Sequence, residues 1–226
     1  MRQHRSSVRS RQQGFTIVEL LIATAVLSTI LVLVTVMMIK IGNLYYKGVN
    51  QARVQENVRN LTDEVSQQLE LNGGSVPYIH TDTEDPNTHL LVDPQAYCIG
   101  TTRYSFVLNK QISTSATLGS DQTRHVLWRD SVPVGSCAAL TQAQLNNQTP
   151  SSGGTELIAP NSRLTSFSIT PTISPYTLSV AVAYGDTDLL NVSSSGAACK
   201  GSIGDQFCAT ASLTTGVVQR LTSTSN

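Results

Sequence analysis

The first pattern along the chain is an apolar run from Phe15 to Ile39 in which Glu19 is the single charged residue. As a helix rising about 1.5 Å per residue, this run is about 37 Å long, enough to cross the roughly 30 Å hydrocarbon core of a bilayer. After Lys40 the pattern changes. Gly42, Tyr45, Tyr46, Lys47 and Gly48 read as an exit from the membrane, with tyrosines at the interface. From Gln51 to Leu71 the chain is amphipathic. Val54, Val58, Leu61, Val65 and Leu69 recur at helical spacing, and Arg53, Glu56, Arg59, Asp63 and Glu64 lie opposite. Asn72-Gly73-Gly74 supplies the stop. No proline occurs from Phe15 to Leu71, so the pattern predicts one nearly continuous helix, bent near Gly42 or Gly48. Two helices joined in that glycine region are the alternative.

Downstream the text turns to strands and loops. Residues 75 to 97, with Pro77, Pro86 and Pro94, read as an irregular connection. Strands are predicted over Thr102 to Asn109 and over Arg124 to Val132, which holds the sole tryptophan, Trp128. Ala138 to Leu145 reads as a short helix and Gln148 to Gly154 as a polar loop. Leu164 to Thr170 and Tyr176 to Tyr184 read as an antiparallel pair, and Cys208 to Leu221 as a last strand. The prediction is an α+β protein, a long helix packed against an antiparallel sheet.

Charge sharpens this picture. The chain is formally neutral, but Arg2, Arg5, Arg9 and Arg11 precede the apolar run without an accompanying acid. By the positive-inside rule the N-terminus stays cytoplasmic and the rest is exported. Without those four arginines the remainder holds 11 basic and 15 acidic residues, a net charge of −4. It lacks the basic surplus that nucleic-acid binding usually needs, so no nucleic-acid partner is expected.

Two simpler readings of the N-terminus compete. A cleaved secretory signal has a shorter apolar core and a small-x-small site. Ala23-Thr24-Ala25 has that form, yet apolar chain continues through Ile39. An uncleaved signal anchor accounts for the length but not for Glu19. A carboxylate there costs on the order of 3 kcal/mol at mid-membrane, and less near the interface.

The local sequence Gln13-Gly14-Phe15-Thr16-Ile17-Val18-Glu19-Leu20-Leu21-Ile22-Ala23 closely resembles the prepilin motif of type IV pilins and pseudopilins. The resemblance implies a leader ending at Gly14, cut from Phe15 by a prepilin peptidase, with Phe15 commonly N-methylated. It implies that Glu19 neutralises the N-terminal ammonium of a neighbouring subunit. It also implies the pilin fold, divided into a leader (1–14), a transmembrane helix (15–40), an amphipathic stalk (41–72) and an exported β-rich head (73–226). The head's length, its strand-rich layout and a Gln-rich stalk with Arg53 and Arg59 look somewhat like larger minor pilins and J-type pseudopilins.

Four cysteines, Cys98, Cys137, Cys199 and Cys208, all follow the apolar run. An even number in an exported region points to two disulfides, for which three pairings exist. Cys98–Cys137 and Cys199–Cys208 are favoured because each joins neighbours along the chain. No C-x-x-C occurs, and no histidine flanks a cysteine at zinc-ligand spacing. The stretch His80, Asp82, Glu84, Asp85, His89 is rich in oxygen and imidazole, but it matches neither an EF-hand nor a zinc motif. It reads as a solvated acidic loop, and Gly185-Asp186-Thr187-Asp188 as a turn. No G-x-S-x-G, P-loop or H-E-x-x-H occurs. No catalytic residue, metal or cofactor is therefore expected.

The expected function is structural: a subunit, as a minor pilin, of a type IV pilus or related filament. Its partners would be prepilin peptidase, other pilin subunits through the N-terminal helix, and the inner membrane before assembly. It would begin as a single-pass protein of the cytoplasmic membrane and end on a pilus or the cell surface. The alternatives are a pseudopilin of a type II secretion or DNA-uptake system, and a signal-anchored exported enzyme or binding protein.

Overall fold

The computed structural model of the protein describes residues 14–72, 74–80, 93–133, 135–171, 174–193, 196–201 and 204–220. The leader arginines, Gly73, Pro86, the 82–89 stretch and Leu221, all named above, lie outside the described residues. The chain divides into two compact units, Met1–Leu44 and Tyr45–Asn226. One helix, α1 (Ile17–Leu71, 55 residues), contributes to both and is not interrupted at Gly42 or Gly48.

In the first unit every described residue except Gly42 is exposed, including the whole apolar run. The second unit begins with the amphipathic part of α1. The predicted stripe, Val54, Val58, Leu61, Val65 and Leu69, is buried throughout. At about 1.5–3 kcal/mol for each large aliphatic side chain, this stripe contributes on the order of 10 kcal/mol. Of the opposite face, Arg53, Glu56, Arg59 and Asp63 are exposed, while half-buried Glu64 accepts a 2.6 Å ion pair from Arg129. Asn72 ends the helix, its side-chain amide donating to the Gln68 carbonyl at 2.9 Å.

The strands are β1 (Tyr78–Ile79), β2 (Gln95–Ile99), β3 (Thr102–Phe106), β4 (Gln111–Ile112), β5 (Gln122–Thr123) and β6 (Leu127–Ser131). After a short helix, α2 (Gln142–Asn146), come β7 (Thr155–Glu156), β8 (Ser162–Thr170), β9 (Tyr176–Tyr184), β10 (Leu190–Ser193), β11 (Gly196–Cys199) and β12 (Ala209–Val217). The described residues form two five-stranded sheets, β1-β2-β3-β6-β7 and β12-β9-β8-β4-β5, and a β10-β11 hairpin. The α+β class holds, with a modification: the expected single antiparallel sheet is two sheets, and β4 pairs with β5 in parallel.

One core joins the sheets and the helix. The α1 stripe shares it with Tyr97, Ile99, Tyr104 and Phe106 of the first sheet and Phe167, Ile169, Leu178, Val180 and Val182 of the second. Aromatic rings connect the sheets: Tyr78 stacks on Tyr97 at 4.8 Å, Tyr97 on Phe106 at 5.7 Å, and Phe106 meets Phe167 edge-on at 5.0 Å. In β9 the core face is Tyr176, Leu178, Val180 and Val182, a strict alternation. In β8 the register shifts between Leu164 and Ser166. That bulge lets even-numbered Leu164 and odd-numbered Phe167 and Ile169 all reach the core.

Other boundaries move for local reasons. The stretch read as irregular holds β1 and the first three residues of β2. All five residues of β2 are buried, so it carries no polar alternation to announce it. The short helix starts later than predicted, because Thr141 caps it in a reciprocal capping box with Gln144. The last strand stops at Val217; Val218 is exposed and Gln219 turns its side chain to the Asn72 carbonyl at 2.7 Å.

Candidate processing and assembly site

The helix begins at Ile17, two residues beyond the predicted cleavage point, and the local residues explain why. Thr16 is the N-cap: its hydroxyl accepts from the Glu19 N–H at 3.3 Å. The Glu19 carboxylate reaches back and accepts from both the Thr16 N–H and hydroxyl at 2.9 Å. This is a capping box, Thr-x-x-Glu, and it satisfies otherwise orphaned groups of the first turn. The helix dipole also favours the carboxylate there. The sequence reading took Glu19 as an assembly residue and missed its local partner, although the Thr16-Ile17-Val18-Glu19 spacing carried the signal.

Gly14 stands apart from this logic. A Cβ built there would meet nothing within 4 Å, and the backbone is not left-handed. Neither packing nor conformation accounts for a glycine at that position. Phe15 is exposed at 87%.

The exposed apolar helix is long and apolar enough to cross a membrane. Its four hydroxyl residues return their hydrogen bonds to the helix itself: Thr24 to the Leu21 carbonyl, Ser28 to Ala25, Thr29 to Val26 and Thr35 to Leu31, all within 2.8–3.0 Å. Residues 9–35, which span this first turn and most of the apolar run, match the family described as the prokaryotic N-terminal methylation motif. The chain carries a prepilin-type N-terminus. This motif supports the type IV pilin and pseudopilin family, and it implies processing by prepilin peptidase and assembly with other pilins. No curated protein and no solved structure matches the chain. The prepilin motif points to a structural subunit, and together with the apolar helix it fits membrane anchoring followed by pilus assembly.

The cysteines of this prepilin-type chain are all paired, Cys98 with Cys137 (Cα–Cα 6.1 Å) and Cys199 with Cys208 (5.9 Å). These are the nearest-neighbour pairs along the chain. In the chain-entropy picture, loops of these lengths stabilise by about 4 and about 3 kcal/mol respectively.

The remaining polar candidates serve the head. Of the His80 stretch only His80 is described; it stacks on Tyr78 at 4.6 Å. Among the described residues no group of three or more His, Cys, Asp or Glu is placed to hold a metal. Asp186, in the predicted turn, accepts from the Gln111 amide at 3.1 Å. It lies near Arg163, a guanidinium only 1% exposed, which the sequence reading did not single out. Arg163 donates to the carbonyls of Asn109 (3.2 Å) and Gly185 (3.4 Å) and to the Thr187 hydroxyl (3.2 Å), joining three segments. The Thr187 hydroxyl in turn donates to Asp121 and holds its carboxyl below the ordinary range, with Arg163 and Lys110 adding to the effect. The Glu156 carboxylate accepts the backbone N–H groups of Val126, Leu127 and Ile158, each at 3.0 Å, securing β6 against β7.

Proposed function

We propose that the chain is a structural subunit of a type IV pilus or related filament, cleaved between Gly14 and Phe15 and held in register by Glu19. The observation that carries this reading is the methylation motif lying across a capped helix start. The absence of any packing need for glycine at position 14 supports a role in recognition by the peptidase. Cleavage there leaves Phe15 as an N-terminal ammonium one helical turn from Glu19. The carboxylate then has two duties. Within its own chain it caps the helix; in a filament it meets the ammonium of a neighbour, where opposite charges in an apolar surround attract strongly when paired and are costly alone. The length of the head and its strand-rich layout support a minor pilin over a major one.

The decisive experiment is co-expression with and without a prepilin peptidase, followed by mass spectrometry of the mature N-terminus. The expected product starts at Phe15 and carries one added methyl group. A retained leader, or a cut after Ala25, overturns the proposal. A trace band in sheared filaments supports the minor-pilin assignment, and a dominant band overturns it.

A further inference from the structure

The turn Asp205–Phe207 is fixed with unusual thoroughness for a surface turn. Lys47 pairs with the Asp205 carboxylate. Asn50, itself buried, donates to the Gln206 carbonyl at 3.0 Å. Gln51 donates to the Thr210 carbonyl at 3.0 Å. Cys208 adjoins the turn and is tied to Cys199. All this rigidity holds an apolar ring in the open: Phe207 is 49% exposed. Its ring lies 6.1 Å from that of Tyr46, which lies 6.0 Å from that of Tyr45, and these tyrosines are 55% and 68% exposed. Among the described residues outside the apolar run, few other large apolar side chains are this exposed, and none of those is aromatic.

The position of this cluster follows from the chain. Tyr45 lies thirty residues beyond Phe15, about 45 Å along a helix. A bilayer with its headgroup regions is about 40–45 Å thick. The two tyrosines therefore fall at the outer headgroup zone, where amphipathic rings accumulate, with Lys47 beside them. Any ring in contact with Tyr46 falls there too. The exposed area of the three rings is roughly 350 Å², well under the roughly 1,000 Å² a specific protein interface needs. It is suited to seating rings among lipid headgroups.

We propose that Phe207, with Tyr45 and Tyr46, seats the head on the outer surface of the membrane before assembly. This rests on the membrane-anchored reading above. The turn then supplies a second, non-covalent contact with the headgroups.

The test uses two variants of the full chain, Phe207→Trp and Tyr45→Trp, reconstituted in phosphatidylethanolamine–phosphatidylglycerol vesicles with brominated acyl chains. Buried Trp128 supplies a constant background. In both variants the added emission is expected to shift to the blue. It should lose intensity most to lipids brominated near the headgroup and be shielded from aqueous iodide. If the added indole of Tyr45→Trp is quenched but that of Phe207→Trp remains water-exposed, the chain is inserted and the seating of the turn alone is overturned. If neither is quenched, membrane anchoring fails and the proposal fails with it. If the added indole of Phe207→Trp becomes shielded only in sheared filaments, its partner is a neighbouring subunit and the lipid assignment is overturned.

Discussion

At Glu19 the observed capping role and the proposed pairing with a neighbour's ammonium separate by chemistry. A glutamine at N3 can still accept from the Thr16 N–H and preserve the capping box, but it carries no charge. If register depends on charge pairing, Glu19→Gln and Glu19→Val are both expected to insert and be cleaved yet be lost from sheared filaments; immunoblots of membrane and filament fractions would show it. If capping were the residue's whole role, Glu19→Gln would assemble normally. Thr16→Val removes only the cap hydroxyl. It should cost about 1 kcal/mol at the helix start and leave assembly largely intact. A different residue-scale constraint operates at Gly154, where an added Cβ would lie 2.4 Å from the Trp128 indole. Overpacking of this kind costs about 1–3 kcal/mol, so Gly154→Ala should lower the thermal midpoint of the full chain in detergent. Of these features, the prepilin motif was legible because a motif is a local pattern. Gly154 was not, since its constraint comes from a tryptophan 26 positions away.

Elements were legible in proportion to how far their burial leaves a trace in local order. The α1 stripe repeats at helical spacing and β9 alternates, so both stand out in the sequence. The five buried residues of β2 do not alternate, and β4, β5 and β7 are two residues each, defined by partners rather than by their own text. The pairing of β1 with β2 makes a prediction about alkali. Burial, with Tyr97 adding, pushes the Tyr78 phenol from 10.0 up to about 12. The neutral phenol is thus favoured by folding. Its contribution is whole below pH 10 and is lost as pH rises toward 12. Denaturation followed between those values should be less steep in Tyr78→Phe. Asp121 behaves oppositely. Its carboxyl is held below 3.8, so its contribution is present at neutral pH and is lost as the pH falls below that value. Asp121→Asn should flatten the acid limb of a stability–pH curve and leave the alkaline limb unchanged.

For the molecule as a whole, reduction offers the broadest check. The shorter disulfide closes the loop beside Asp205–Phe207, and replacing both Cys199 and Cys208 by alanine should cost about 3 kcal/mol, read as a lowered denaturation midpoint. The α+β class and the division into an apolar and an amphipathic helical region could be read from residue order. The two-sheet layout could not, because nothing local states which strand neighbours which. The exposed apolar helix carries a last consequence for energetics. A subunit that leaves a bilayer for the centre of a filament exchanges hydrocarbon tails for the side chains of its neighbours. Little water is released in such a transfer, so the hydrophobic effect scarcely distinguishes the two states. On the proposed assembly, the direction of growth then comes from the small set of interactions that differ between the two states, such as the pairing proposed for the lone carboxylate.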